Sequence, residues 1–197
     1  AAYVAEKIYE PITNYYKYRP KNKTSIIIKD TDDISNGTAY YYDNKIEIWA
    51  HPLDFDLRGS HRWIQNVITH EFVHIVQVQS SMKFGRKFPA AYLQWIGYEK
   101  EKRDDVLYGY PNTIISTPLS SVIVPPWFAE GTAQFMYENA NFDYWDSHRD
   151  MILRDRVLND NLLSFNDMNT FGKRGIGNES TYNQGFSLVK FLVDRYG

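Results

Sequence analysis

The chain contains no cysteine. That absence excludes a disulfide scaffold, a cysteine-based zinc finger, an iron–sulfur site and a thiol nucleophile. No uninterrupted apolar run approaches the ~18 residues of a membrane-spanning helix, so no membrane span is expected. A surplus of one sign of charge is missing too. The 22 Lys and Arg stand against 24 Asp and Glu, for a formal charge of −2. Nucleic-acid binding needs a concentrated basic face, and this balance argues against it. There are no internal repeats, no low-complexity tract and no leader pattern, although Ala1-Ala2 fits the remnant of a removed signal peptide. Histidine is scarce, with five in 197 residues. Any metal site must therefore combine a few of these imidazoles with carboxylates.

What is present reads as strands early and helices late, an α+β order. Tyr3–Tyr18 has apolar residues at helical spacing, and Pro11 is expected to kink or divide it. Thr24–Lys29 is a β-branched run and reads as a strand. Ala39–Tyr42 and Lys45–Ala50 read as a hairpin around Asp43-Asn44, a pair able to take positive φ. A helix is expected from Ser60, as N-cap, to about Ser80. Ala90–Tyr98 is amphipathic, Glu99–Asp105 reads as a solvated helix face, and Tyr108–Leu119 is rich in turn formers. Pro125-Pro126 opens a helix to about Asn139, and further helices are expected at Trp145–Leu158 and Thr181–Tyr196.

The Ser60 helix contains His70-Glu71-Phe72-Val73-His74. Four helical residues rise about 6 Å and return nearly to the same azimuth, so His70 and His74 face one way. Each can then offer an imidazole nitrogen to one zinc ion at about 2.0–2.1 Å. Glu71 sits about 100° round the helix, unsuited as a third ligand on that face but placed to contact a zinc-bound water. The residues around the motif are mostly apolar, which implies burial, and burying two His and a Glu is costly unless they serve a purpose.

A third donor defines the class of site. The metzincin arrangement needs a Gly seven positions and a His ten positions after the first His; Gln77 and Ser80 stand there instead. His51, His61 and His148 read as surface or hydrogen-bonded residues. Glu130, in Trp127-Phe128-Ala129-Glu130-Gly131, is a charge among apolar neighbours, as a metal-ligating carboxylate is. Gly131 and Ala133 would let this helix approach the first one closely. Gln134, one turn after Glu130, is a candidate to hydrogen-bond a ligand from behind.

These motifs, with Leu57-Arg58-Gly59-Ser60, Phe84-Gly85-Arg86, a late Tyr182-x-x-Gly185 helix and the closing Val193-Asp194-Arg195-Tyr196-Gly197, resemble the gluzincin metallopeptidases. The nearest resemblance is to the bacterial peptidase-MA-like domains often fused to TolB-like propellers. It implies a zincin-like α+β fold forming one catalytic unit over 1–197. Residues 1–80 would make an N-terminal lobe of helix, small mixed sheet and zinc helix; residues 81–197 would make a mainly helical lobe carrying the third ligand and a catalytic Tyr. It also implies one Zn2+ held by His70, His74 and Glu130, with Glu71 as general base and Tyr182 stabilising the oxyanion. A periplasmic or extracellular location and a C-terminal propeller-like domain in a longer protein belong to the same implication.

Two departures qualify the likeness. The 55 residues between His74 and Glu130 require an inserted loop or helix. The Gly-x-Met-Glu-Asn segment that anchors a free amino terminus in aminopeptidases is absent. The expected activity is thus hydrolysis of extended peptides by an endopeptidase, with an aminopeptidase or a non-catalytic zinc-stabilised module as alternatives. The Lys45–Ala50 strand suits an exposed edge on which Glu47, Ile48, Trp49 and Ala50 pair with substrate backbone; it suits an internal strand equally well.

Overall fold

A computed structural model describes residues 1–31, 34–52, 62–82, 90–98, 100–101, 111–120, 124–140, 144–145, 147–174 and 177–197. The described elements run α1 (Ala2–Tyr15), β1 (Ser25–Lys29), β2 (Gly37–Tyr40), β3 (Lys45–Trp49), α2 (Trp63–Ser80), β4 (Ala90–Tyr98), β5 (Pro111–Ser120), α3 (Pro126–Ala140), α4 (Ser147–Leu158), α5 (Phe165–Met168) and α6 (Gly177–Tyr196). The class is α+β. Contacts divide the chain into two compact units, Ala1–Ser81 with Val124–Gly197 and, separately, Met82–Ile123. The boundary expected near residue 80 thus opens an insertion, and the chain beyond it rejoins the first unit.

The first unit has a three-stranded mixed sheet in the order β1-β3-β2. β3 runs parallel to β1, with Ile26 opposite Ile46, and antiparallel to β2, with Ala39 opposite Ile46. Ile46 and Ile48 are fully buried and meet Ile68, Val73, Ile75 and Val76 of α2 in the core. α1 adds Val4, Ile8 and Ile12, one apolar residue per turn. Pro11 lies inside α1 without dividing it. The carbonyl it leaves unbonded is that of exposed Lys7, where water can serve it, while the buried stripe packs uninterrupted.

The expectation of an exposed edge at Lys45–Ala50 is corrected. β3 is the central strand, its backbone paired on both sides, so Glu47, Ile48 and Trp49 have no edge to offer a peptide. Glu47 instead pairs with Lys29 at 2.5 Å and Lys45 at 3.0 Å, and Ala50 N–H donates to Lys29 O. The edge is β2. The hairpin loop is four residues rather than two, since Tyr40 pairs with Lys45, and Asn44 takes φ +49°. α2 begins at Trp63 with Arg62 as N-cap, two residues later than the N-cap expected at Ser60; Ser60 and His61 lie outside the described residues, as do Leu57–Gly59.

The second unit is an antiparallel hairpin of β4 and β5 with Trp95 opposite Ile115. Ala90–Tyr98, expected to be amphipathic, is the strand β4, and the turn-rich reading of Tyr108–Leu119 is corrected, since from Pro111 on it is the strand β5, paired to β4 along its length. Lys100 and Glu101 are not helical, and the rest of the charge run lies outside the described residues, as does Phe84-Gly85-Arg86.

Candidate metal centre

α2 is buried on nearly every face about its midpoint, from Asn66 to Val73. His70 and Glu71 are each 7% exposed, so the motif sits in the core and not on a solvated helix. α3 brings Glu130 to it. The Nε2 atoms of His70 and His74 lie 2.8 and 3.3 Å from the same oxygen, Glu130 Oε2. One ligand atom from each residue falls within 4.8 Å of the others. Tetrahedral donors about 2.0–2.1 Å from zinc stand about 3.3 Å apart, so this donor set fits such an ion.

Electrostatics give the same picture. Burial alone would lower the His74 imidazole, but the charge and hydrogen bond of Glu130, with Glu71 nearby, push it up to about 9. Glu130 is raised by burial yet held well below the ordinary carboxylate range by His74 and His70. The pocket therefore concentrates negative charge where positive charge is wanted, and protons fill that role when no cation does. Glu71 behaves differently. Burial, with the Glu130 charge adding, raises it to about 7 against the opposing pull of His74 and of the Ala39 backbone N–H.

Two glycines set the helix geometry. A Cβ on Gly131 would collide with the backbone of Gly185, and one on Gly185 would collide with the Trp127 carbonyl. α3 and α6 thus cross backbone to backbone at this pair. The crossing sets Glu130, beside Gly131, near Tyr182, one turn before Gly185. Gly131 accordingly serves the approach to α6 and not, as expected, to α2; Ala133, fully buried in the core cluster, faces that way. The Tyr182 ring lies 6.0 Å from that of His70 and lines the same cavity. α6 begins at Gly177, so Tyr182 sits in its second turn and not at its head.

The cavity over these residues measures about 460 Å³. Its walls include β2 and its approach, from Ser35 to Ala39, with Asn66, Tyr137, Glu179 and Tyr182. Gly37 lies so close to α2 that a Cβ there would stand 2.7 Å from Glu71 Oε1.

Tyr137 was not anticipated. Its hydroxyl shares a 2.8 Å hydrogen bond with His70 Nδ1, the role proposed above for Gln134. Gln134 is buried, and neither of its amide atoms has a hydrogen-bond partner among the described residues. The reason lies in helix geometry. Seven residues after Glu130 the azimuth has drifted about 20°, whereas four residues after it the offset is about 40° to the other side. The spacing to Tyr137 was thus a usable signal. Glu179 and Asn66 had none, because only the fold brings them to this cavity. His51 meets Ser35 Oγ at 3.1 Å on the surface, away from the three donors. Comparison of the chain with protein-family models, curated proteins and solved structures gives no match.

Proposed function

We propose that this protein is a zinc peptidase of gluzincin type on a zincin-like fold. The observation that carries the reading is the convergence of His70 Nε2, His74 Nε2 and Glu130 Oε2, with Glu71 and Tyr182 on the walls of the same cavity. His70, His74 and Glu130 would hold the ion. Bound there, zinc would supply Lewis acidity, polarising a scissile carbonyl and acidifying water.

The chain's own residues supply the rest. Glu71, raised to about 7, has the basicity suited to taking a proton from the attacking water and returning it to the leaving amine. The Ala39 N–H and the closeness of Gly37 hold its carboxylate in one place. Tyr182 would donate its hydroxyl proton to the oxyanion as the carbonyl becomes tetrahedral. β2, an edge strand along this cavity, would lie beside an extended peptide, the role first sought in β3, with its Ala39 N–H kept for Glu71. Among the described residues no helix is long and apolar enough to cross a membrane.

Cleavage of an unbiased peptide library by the zinc-loaded protein tests this reading. Wild type should cut peptides, and Glu71→Gln should keep zinc while losing about 10²–10⁴-fold in kcat. Undiminished turnover by Glu71→Gln, or no cleavage by zinc-loaded wild type, would contradict it.

A further inference from the structure

β1 is the edge of the three-stranded sheet opposite β2, and none of its residues lines the metal cavity. Its inner side is paired: Ser25 N–H donates to Asn44 O, and Lys29 O accepts from Ala50 N–H. Residues 25, 27 and 29 thus turn their backbone groups to β3. By the alternation of a strand, Ile26 and Ile28 turn theirs outward, where no described strand pairs with them. Edge strands are commonly blunted by proline or charge. Ser25–Ile28 carries neither, and Ile27 and Ile28 are 42% and 47% exposed. Beside this edge a cavity of about 490 Å³ lies between α1 and the Pro20–Thr24 segment, with the partly buried Ala5, Tyr9 and Ile26 in its walls.

We propose that β1 is a dimer interface, on which β1 of a second copy of this chain adds antiparallel about a two-fold axis at Ile27. The register follows from which backbone groups are open. Ile26 of one chain and Ile28 of the other both point outward, so they exchange N–H···O bonds in each direction, and the axis repeats the exchange. A slip of one residue would set an outward group against an inward one and lose those bonds. Side chains agree with the backbone. Ile26 and Ile28 share the core face of the sheet with the buried Ile46 and Ile48, which stand opposite them on β3. Ile28 of the second copy therefore arrives on the face where the cavity beside Ile26 lies, which gives an exposed isoleucine apolar cover. Charge agrees as well. Lys21 and Lys23 precede β1 and Asp30 follows it, all three exposed. Pairing about Ile27 sets Asp30 of the second copy opposite Thr24, beside Lys23, while Lys29, already matched by Glu47, meets Ser25. A strand of an unrelated protein would not require the sequence on either side of Ile27 to complement itself. The two three-stranded sheets become one continuous sheet, and both open edges disappear.

Sedimentation equilibrium of the whole chain from about 1 to 200 μM tests the proposal, and should show reversible association of one chain into two. Ile28→Pro removes an outward N–H at a place where an edge strand accepts proline. It should raise the dissociation constant at least about tenfold and keep the wild-type circular dichroism. Ile27→Lys sets two charges face to face on the axis; it should weaken the dimer likewise, and serves if Ile28→Pro does not fold. The chain has no cysteine, so Ile27→Cys should form an intermolecular disulfide on mild oxidation. Ser25→Cys should not, because its two copies would stand about 13 Å apart, beyond the ~7 Å that a disulfide spans. A chain that stays monomeric throughout would overturn the proposal, and so would a dimer unmoved by whichever edge variant folds. Failure of Ile27→Cys to cross-link, or equal cross-linking by Ser25→Cys, would overturn it too.

Discussion

One residue of the candidate metal centre, His70, is held from behind by a hydrogen bond to Tyr137. With a metal on Nε2, His70 carries its proton on Nδ1 and donates it to the Tyr137 oxygen, which settles the tautomer and the swivel of the ring. Tyr137→Phe removes that acceptor while keeping the buried ring. It should lower zinc affinity about 10–100-fold, measured by competition with a chromophoric chelator, and leave the helical circular dichroism unchanged. Unchanged affinity would reduce Tyr137 to a packing residue. The three residues that converge were legible in the sequence because their chemistry is local: His70 and His74 are one turn apart, and Glu130 is a charge in an apolar run. Tyr137 went unread although its seven-residue spacing from Glu130 was a signal, since its partner His70 is 67 residues away and the packing of α3 on α2 makes the pair.

Between elements, the contacts that matter most are those of glycine. The Gly131–Gly185 crossing links a Glu-Gly pair to a Tyr-x-x-Gly segment: it sets Glu130, next to Gly131, and Tyr182, one turn before Gly185, on one cavity. Gly185→Ala must push α6 off the Trp127 carbonyl, so it should destabilise by about 1–3 kcal/mol, which in a domain of this size is a fall in Tm of about 2–4 °C per kcal/mol. Scanning calorimetry of the zinc-loaded variant measures this, and a wild-type Tm would show that the crossing yields without cost. Elements also mark where the sequence was hardest to read. A five-residue alternation such as Lys45–Trp49 looks the same at the edge or the centre of a sheet, since pairing depends on β1, twenty residues earlier. Ala90–Tyr98 carried no periodicity that separates strand from helix; its partner strand decided the matter.

At the scale of the whole molecule, the metal site couples to stability through protons. Without a metal, His74 is raised from 6.5 to about 9 by its carboxylate neighbours. Its pairing therefore stabilises the metal-free fold fully below about pH 6.5, and that contribution is lost as the pH rises through about 9. Zinc requires the neutral ring, so at lower pH it must first displace the proton. The rise in Tm that zinc produces over chelator-treated protein should accordingly grow between pH 6.5 and 9. A rise independent of pH across that window would place the ion elsewhere. The α+β class was legible from the order of segments, whereas the insertion of residues 82–123 was visible only as an unexplained gap between ligands.

The most direct test of the central claim is the metal content of the purified protein, measured by mass spectrometry after exhaustive dialysis. The account predicts one zinc per chain in the wild type and its loss in His74→Ala and Glu130→Ala, with Glu71→Gln still loaded. A wild-type chain that retains no zinc, and takes none up when zinc is supplied, would contradict it.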